Sequence, residues 1–304
     1  MKSKLLTKNY LPLFYALIAV FLWGIHGPAG RWLTQNNVDI FFVFSIRLWI
    51  GTIIFFIYLL FTNGFSINFK DFITENLKKV LIISFIGLVA NTIVFHVSLI
   101  YLPGTYVMII ENLSPIFVFG ATALIYKIKP KSKEIYALIL SLLGIMLIII
   151  GKKDYPELSD TFYIGLFYCI LAAITFGGYI FFSTDLMRDY KNDTQAIIRF
   201  LFKIFLIAAI VCTPFIFISK GKPETPLQWF WIIEMGIFQS GLAYIFWNLA
   251  LAHISANTMS LLFMLTIITT SVNEILFLGF RVSLLLVIGC ILICYAGYWV
   301  SREK

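Results

Sequence analysis

Charge is what this chain has least of. Charged residues make up 12% of its 304 residues, 15 acidic against 23 basic, and no polar block is long enough for a separate soluble domain. A soluble globular chain carries roughly a quarter charged residues, so that class is excluded. Histidines number 3 and cysteines 4. Cys169, Cys212, Cys290 and Cys294 all fall inside apolar runs, where thiols fill cores and do not form disulfides or metal sites. The loops hold no HExxH, nucleophile elbow, Walker loop or paired metal ligands. No catalytic set, metal or cofactor is therefore expected, and any uphill work must draw on an ion gradient or on exchange. The formal charge of +8 sits in short loops and tails, which implies membrane topology and not nucleic acid.

What remains is apolar: 61% hydrophobic and 17% aromatic. Ten runs are long enough to cross a bilayer, at 11–33, 40–61, 78–100, 104–126, 135–151, 161–183, 195–218, 228–250, 256–279 and 282–300. The basic start, Met1 to Asn9, leads into the first run without a cleavage site, so that run reads as an uncleaved span. Lys2, Lys4, Lys8, Lys78, Lys79, Lys127, Lys129, Lys131 and Lys133 collect on one side, which predicts a multi-pass protein with both termini cytoplasmic.

Within the fourth run lies Glu111-Asn112-Leu113-Ser114-Pro115. A carboxylate at that depth is costly unless it meets a partner or a wet cavity. Pro115 has no N–H for the carbonyl of residue 111, so the helix should kink beside the acid. Buried charge with broken backbone is the pattern of a transport site, where irregular backbone lines a cavity. The structural alternative is a kink whose acid pairs with Arg47.

The chain also repeats. Trp23-Gly24 sits like Phe176-Gly177, Arg47 like Arg199, His96 like Asn248 and Gly144 like Gly289, and a shift of about 152 residues covers most of these pairs. The expected fold is an all-α membrane protein of ten transmembrane helices in two five-helix repeats, residues 1–152 and 153–304. Five is odd, so the halves enter the membrane from opposite faces as an inverted repeat. The acids break this symmetry: Glu111 corresponds to Phe263, and Glu274 to Thr122.

With Trp23-Gly24, Arg47, Gly87, Pro115, Gly144 and Gly151 in the first half, and Gly177, Gly236, Leu278-Gly279 and Gly289 in the second, the chain resembles the drug/metabolite transporter (DMT) superfamily, specifically its EamA-type ten-helix permeases. It departs from that pattern where Tyr126-Lys127-Ile128 and Leu278-Gly279-Phe280 replace a Leu-Gly-Glu turn, and where Ile267 replaces the second-half proline. The ninth span is therefore expected to be straighter than the fourth. The resemblance implies a cytoplasmic-membrane carrier, often an exporter, with a cavity lined by spans one, three, four, six, eight and nine.

The residues then sort by chemistry. Glu111, Asn112, Trp23, His96, Tyr179, Tyr244, Trp247 and Glu274 are the expected substrate contacts, an acid with aromatic walls suiting a cation or zwitterion with an apolar body. His26, Arg47, Pro115 and Glu234 are candidates for coupling or gating. Arg47 and Arg199 obey the repeat and read equally as braces between helices. The expectation is a secondary transporter moving a small amphipathic metabolite (amino acid, organic cation or drug-like compound) outward by alternating access. Its partners would be that small molecule and the lipid bilayer, with proton coupling or exchange. Glycines of spans five and ten (Gly144, Gly151, Gly289, Gly297) would permit helix pairing in a homodimer as well as in a monomer. Import or exchange of a nucleotide-like or sulfonium metabolite is the alternative, and a membrane-embedded enzyme or scramblase the remote one.

Overall fold

The computed structural model describes residues 2–62, 74–102, 104–152, 160–278 and 282–301. Ten helices within them are long and apolar enough to cross a membrane: Tyr10–Gln35, Ile40–Phe61, Leu77–Tyr101, Tyr106–Ile125, Ser132–Gly151, Thr161–Asp189, Thr194–Ile218, Pro226–Leu251, Ala256–Asn273 and Leu284–Ser301. Each apolar run becomes one span because a helix satisfies its own backbone in lipid. Polar residues set the ends. Asp39 caps the second span by accepting from the Phe41 N–H, and Asp193 caps the seventh through Ala196. Thr225 and Gln228 form a capping box on the eighth, with Pro226 just inside it.

Three spans are interrupted. The first stops at Trp23 and restarts at His26. The fourth consists of Gly104–Glu111 and Ser114–Ile125, the kink expected from Pro115. The ninth consists of Ala256–Phe263 and Thr266–Leu278, so it is broken like the fourth and the expectation of a straighter helix is corrected. No proline is needed there. Thr266 donates to Asn112 Oδ1, and Asn112 Nδ2 donates back to Thr266 Oγ1 at 2.9 Å, so the two breaks brace each other across the bundle.

Spans three and eight carry π-helical segments, Ile83–Ala90 and Met235–Leu242, which a shift of 152 residues superimposes. Each holds a glycine where another helix comes close. A Cβ on Gly87 would sit 2.8 Å from Tyr179 side-chain atoms, and one on Gly236 2.6 Å from Ile50 Cβ. Spans five and ten pack against each other and against the ninth. Gly144 and Gly289 form their crossing, Gly151 lies against Ser283 and Leu286, and Gly297 against Leu265. These small residues therefore serve packing between spans within the chain. Seven of the remaining eight spans, all but the seventh, line the polar cavity described next.

Candidate functional site

The break in span one brings its residues to the cavity. Gly24 has no side chain, and a Cβ there would overlap that of Thr269 in span nine. Thr269 Oγ1 donates to the Thr266 carbonyl at 2.9 Å and to that of Val20 at 3.3 Å, the latter tying span nine to the end of the first helix. Past the break, Gly27 and Gly104 cross closely: a Cβ on Gly104 would lie 2.9 Å from the Gly27 carbonyl oxygen. Trp23 and His26 flank the turn, and both line the cavity.

The other lining residues are Arg47 from span two; Asn91, Thr92, Phe95 and His96 from span three; and Met108 and Glu111 from span four. Phe176, Tyr244 and Phe263 complete it from spans six, eight and nine. The six spans expected from the resemblance all contribute, and span two adds its arginine. The cavity volume is about 40 Å³, room for about three waters but not for a metabolite.

Arg47 is 7% exposed and is held by neutral groups alone. Its Nε donates to Ser240 Oγ at 3.1 Å, and its Nη1 donates to the Nε2 atoms of His26 and, at 3.3 Å, His96. A guanidinium has no lone pair to offer, so both Nε2 atoms must act as acceptors and both rings are neutral in this arrangement. His96 then keeps its proton on Nδ1 and gives it to the Thr92 carbonyl at 2.7 Å. Among the described residues no carboxylate forms a salt bridge with Arg47. The pairing with Glu111 entertained from the sequence is thus replaced by two imidazoles and a hydroxyl.

Glu111, 5% exposed, ends the first half of span four. A helix C-terminus carries partial negative charge and gives a carboxylate no help. Its one hydrogen bond among the described residues comes from Asn91 Nδ2 to Oε1 at 3.2 Å, an amide that also reaches the Ala172 carbonyl and Thr175 Oγ1. The repeat places Phe263 opposite it at the same position beside the ninth span's break. One wall therefore presents an acid where its counterpart presents a ring.

Trp23 is the hub of the aromatic wall. Its ring lies 5.3 Å from Tyr244, 5.8 Å from Phe176 and Phe263, and 5.1 Å from Trp247. The first three contacts are edge-on, the arrangement favoured by ring quadrupoles. Its Nε1 donates to the Gln239 carbonyl within the π segment of span eight at 3.0 Å, a backbone acceptor of the kind such a segment leaves open.

Of the residues expected at the site, Trp23, His26, Arg47, His96, Glu111 and Tyr244 meet in one cavity. Others stand behind it. Asn112 is fully buried in the brace to Thr266, and Pro115 is buried in the first turn of the helix after the break. The Tyr179 hydroxyl accepts from Asn248 Nδ2 at 2.6 Å, and Trp247 packs behind Trp23. Glu234 accepts from Gln239 and does not line the cavity. The Glu274 side chain lies outside the described residues. Asn91 and Thr92 were missed, although their spacing from Phe95 and His96 (i, i+4 in each case) places all four on one helix face.

Arg199 and Lys203, in the first turns of span seven, form salt bridges with Asp193 at 3.6 Å and Glu75 at 3.2 Å.

The profile of the EamA-like transporter family matches twice, over residues 11–150 and 163–302. Among characterised sequences, the biotin transporter of Salmonella typhimurium is 23% identical over 250 residues, covering 81% of this chain and 78% of the relative. The biotin transporter of Escherichia coli K12 is 24% identical over 251 residues with the same coverage. An uncharacterised transporter of Bacillus subtilis, YxxF, is 24% identical over 64% of this chain and 60% of its own. A crystal structure of 14% identity superposes with a TM-score of 0.72 over 95% of each chain, a likeness of fold alone.

Proposed function

Because the chain belongs to the EamA-like transporter family, we propose that it is a secondary carrier moving a small amphipathic metabolite across the cytoplasmic membrane by alternating access. In this reading the termini are cytoplasmic, each five-helix repeat (1–152 and 153–304) moves against the other, and the working direction is outward. The observation that carries it is a small cavity within the spans that holds an acid, Glu111, and a guanidinium, Arg47, with no salt bridge between them among the described residues. Burying a carboxylate and a guanidinium apart from each other is expensive in lipid, and a transport site is where such cost is met by a ligand. Trp23, Phe176, Tyr244 and Phe263 supply apolar surface for the rest of the molecule. The cavity is too small for a metabolite as it stands, so in this reading the spans must move apart to admit one.

Relatives named biotin transporter make biotin the first compound to try, beside amino acids and organic cations. The test is flux into proteoliposomes. A carrier gives saturable uptake that is accelerated by unlabelled substrate on the opposite side. Glu111→Gln should abolish that flux while leaving membrane insertion and thermal stability intact. Normal flux from a well-folded Glu111→Gln protein would sink the role given to this acid, and chemical change of the substrate would replace carriage with catalysis.

A further inference from the structure

Taking the cavity as the transport site, we infer that Arg47 receives a substrate carboxylate and Glu111 an N–H of the same molecule, so the transported class is small carboxylic acids bearing an N–H group apart from the carboxylate.

The inference starts from what Arg47 lacks. It is buried, it faces the cavity, and its hydrogen bonds go to one hydroxyl and two neutral imidazoles. Its Nη2 makes none among the described residues. A brace between helices would do better with a carboxylate, because an ion pair offsets the desolvation of a buried cation and a neutral acceptor does so only in part. The chain contains its own comparison. Arg199 occupies the same position in the second repeat and does have a carboxylate, Asp193, at 3.6 Å. The first repeat has kept the guanidinium and its fork and has left the anion to come from elsewhere. The open Nη2 keeps both of its N–H donors, which a carboxylate can accept in a charge-assisted hydrogen bond.

Glu111 shows the converse. It has one neutral donor, on Oε1, and its Oε2 makes no hydrogen bond among the described residues. An ionised carboxyl only accepts, so its complement on a ligand is an N–H or O–H donor. The two groups lie on different spans and line one cavity together with the aromatic residues, so a ligand satisfying both carries its anion and its donor on separate groups. Either an amide N–H or an ammonium meets this description.

The test compares acids with their own amides on the wild-type protein in detergent. The probes are ω-amino acids of increasing chain length, their N-acetyl derivatives, and the primary carboxamide of each. Binding is read by calorimetry and by thermal shift. An acid should bind at least about 30-fold tighter than its carboxamide, since breaking a buried charge pair costs that much or more. Preference for the free amine over the N-acetyl form identifies an ammonium ligand, and the reverse preference an amide. Arg47→Gln should bind acid and carboxamide alike. Glu111→Gln should keep the preference for the acid and lose the preference between amine and N-acetyl forms. Equal binding of acid and carboxamide by the wild type overturns the inference, as does binding of no acid in the series. The wild-type comparison decides this even where a variant fails to fold. Saturable flux of a compound without a carboxylate would sink this assignment and leave the carrier standing. Acid-selective binding without flux would do the reverse.

Discussion

Gly144→Ala adds one methyl group where two spans cross, and the structure sets its cost. The new Cβ would lie 2.7 Å from the Gly289 carbonyl oxygen and 2.7 Å from Ile293 Cγ1. Ordinary contact begins near 3.4 Å, so the shortfall is about 0.7 Å on each side. Ile293 can turn aside, but a backbone carbonyl in mid-helix cannot, so the two helices must part. Parting them loosens Ile145, Ile148, Ile293 and Ala296, all of them buried. Overpacking of this kind costs about 1–3 kcal/mol. At about 2–4 °C per kcal/mol for a chain of this size, the melting temperature should fall by roughly 3–10 °C. Gly120→Ala is the control, because nothing lies within 4 Å of a Cβ at that position. It should gain a little, since alanine is the better helix former by about 1 kcal/mol. The assay is thermal unfolding of both purified variants in one detergent. If the two melt together, the Gly144–Gly289 crossing is not tight and the packing assigned to spans five and ten is wrong.

Other outcomes follow from the same structure. In a double-mutant cycle, Asn112→Ala and Thr266→Ala should couple by about 0.6 kcal/mol, and by no more than about 1.7, the measured range for hydrogen bonds between membrane helices. Zero coupling would mean that the two breaks do not brace each other. Deleting one residue from Ile83–Ala90 should restore ordinary helix and rotate the flanking segments by about 100° relative to each other. Asn91 and His96 would then leave the cavity, and flux should vanish while the protein still inserts; retained flux would remove the π segment's role in aiming that face. His253, in the short loop after span eight, has its pKa lowered from the ordinary value by burial and then by the Lys191 charge. The fold therefore prefers the neutral ring, and its contribution is full above about pH 6.5 and declines as the pH falls below that. A His253→Gln protein should lose less thermal stability than wild type between about pH 7 and pH 5. Equal losses would show that this ring does not contribute.

The ten spans could be read from the sequence because apolar length is a direct physical requirement of the bilayer. Their ends moved where polar residues still make good helix: the sixth, expected to stop at 183, runs on to Asp189 through Asp185 and Arg188. The break at Pro115 was legible because proline acts on its own backbone. The matching break before Thr266 was not, because its bracing partner, Asn112, lies 154 residues away. The π segments escaped notice for another reason: Ile83–Ala90 and Met235–Leu242 have the composition of any apolar helix. At the site, Glu111, Arg47, His26 and His96 announced themselves, since each is costly at membrane depth. Which of them would touch did not follow from cost. Pairing with Glu111 was one alternative for Arg47, and the fold gave the arginine two imidazoles instead. Asn91 went unread because a lone amide in a helix gives no sign of its partners.

The π segments also mark the repeat. An inserted residue disturbs a helix wherever it falls, and chance would not place two such disturbances at one register in separate halves of a chain. Their coincidence at a shift of 152 residues makes the widened turn a property of the repeat itself. A five-helix half crosses an odd number of times, so two identical halves would meet as an inverted pair with every acid present twice. Halves joined in one chain are free to differ, and Glu111 opposite Phe263 is such a difference.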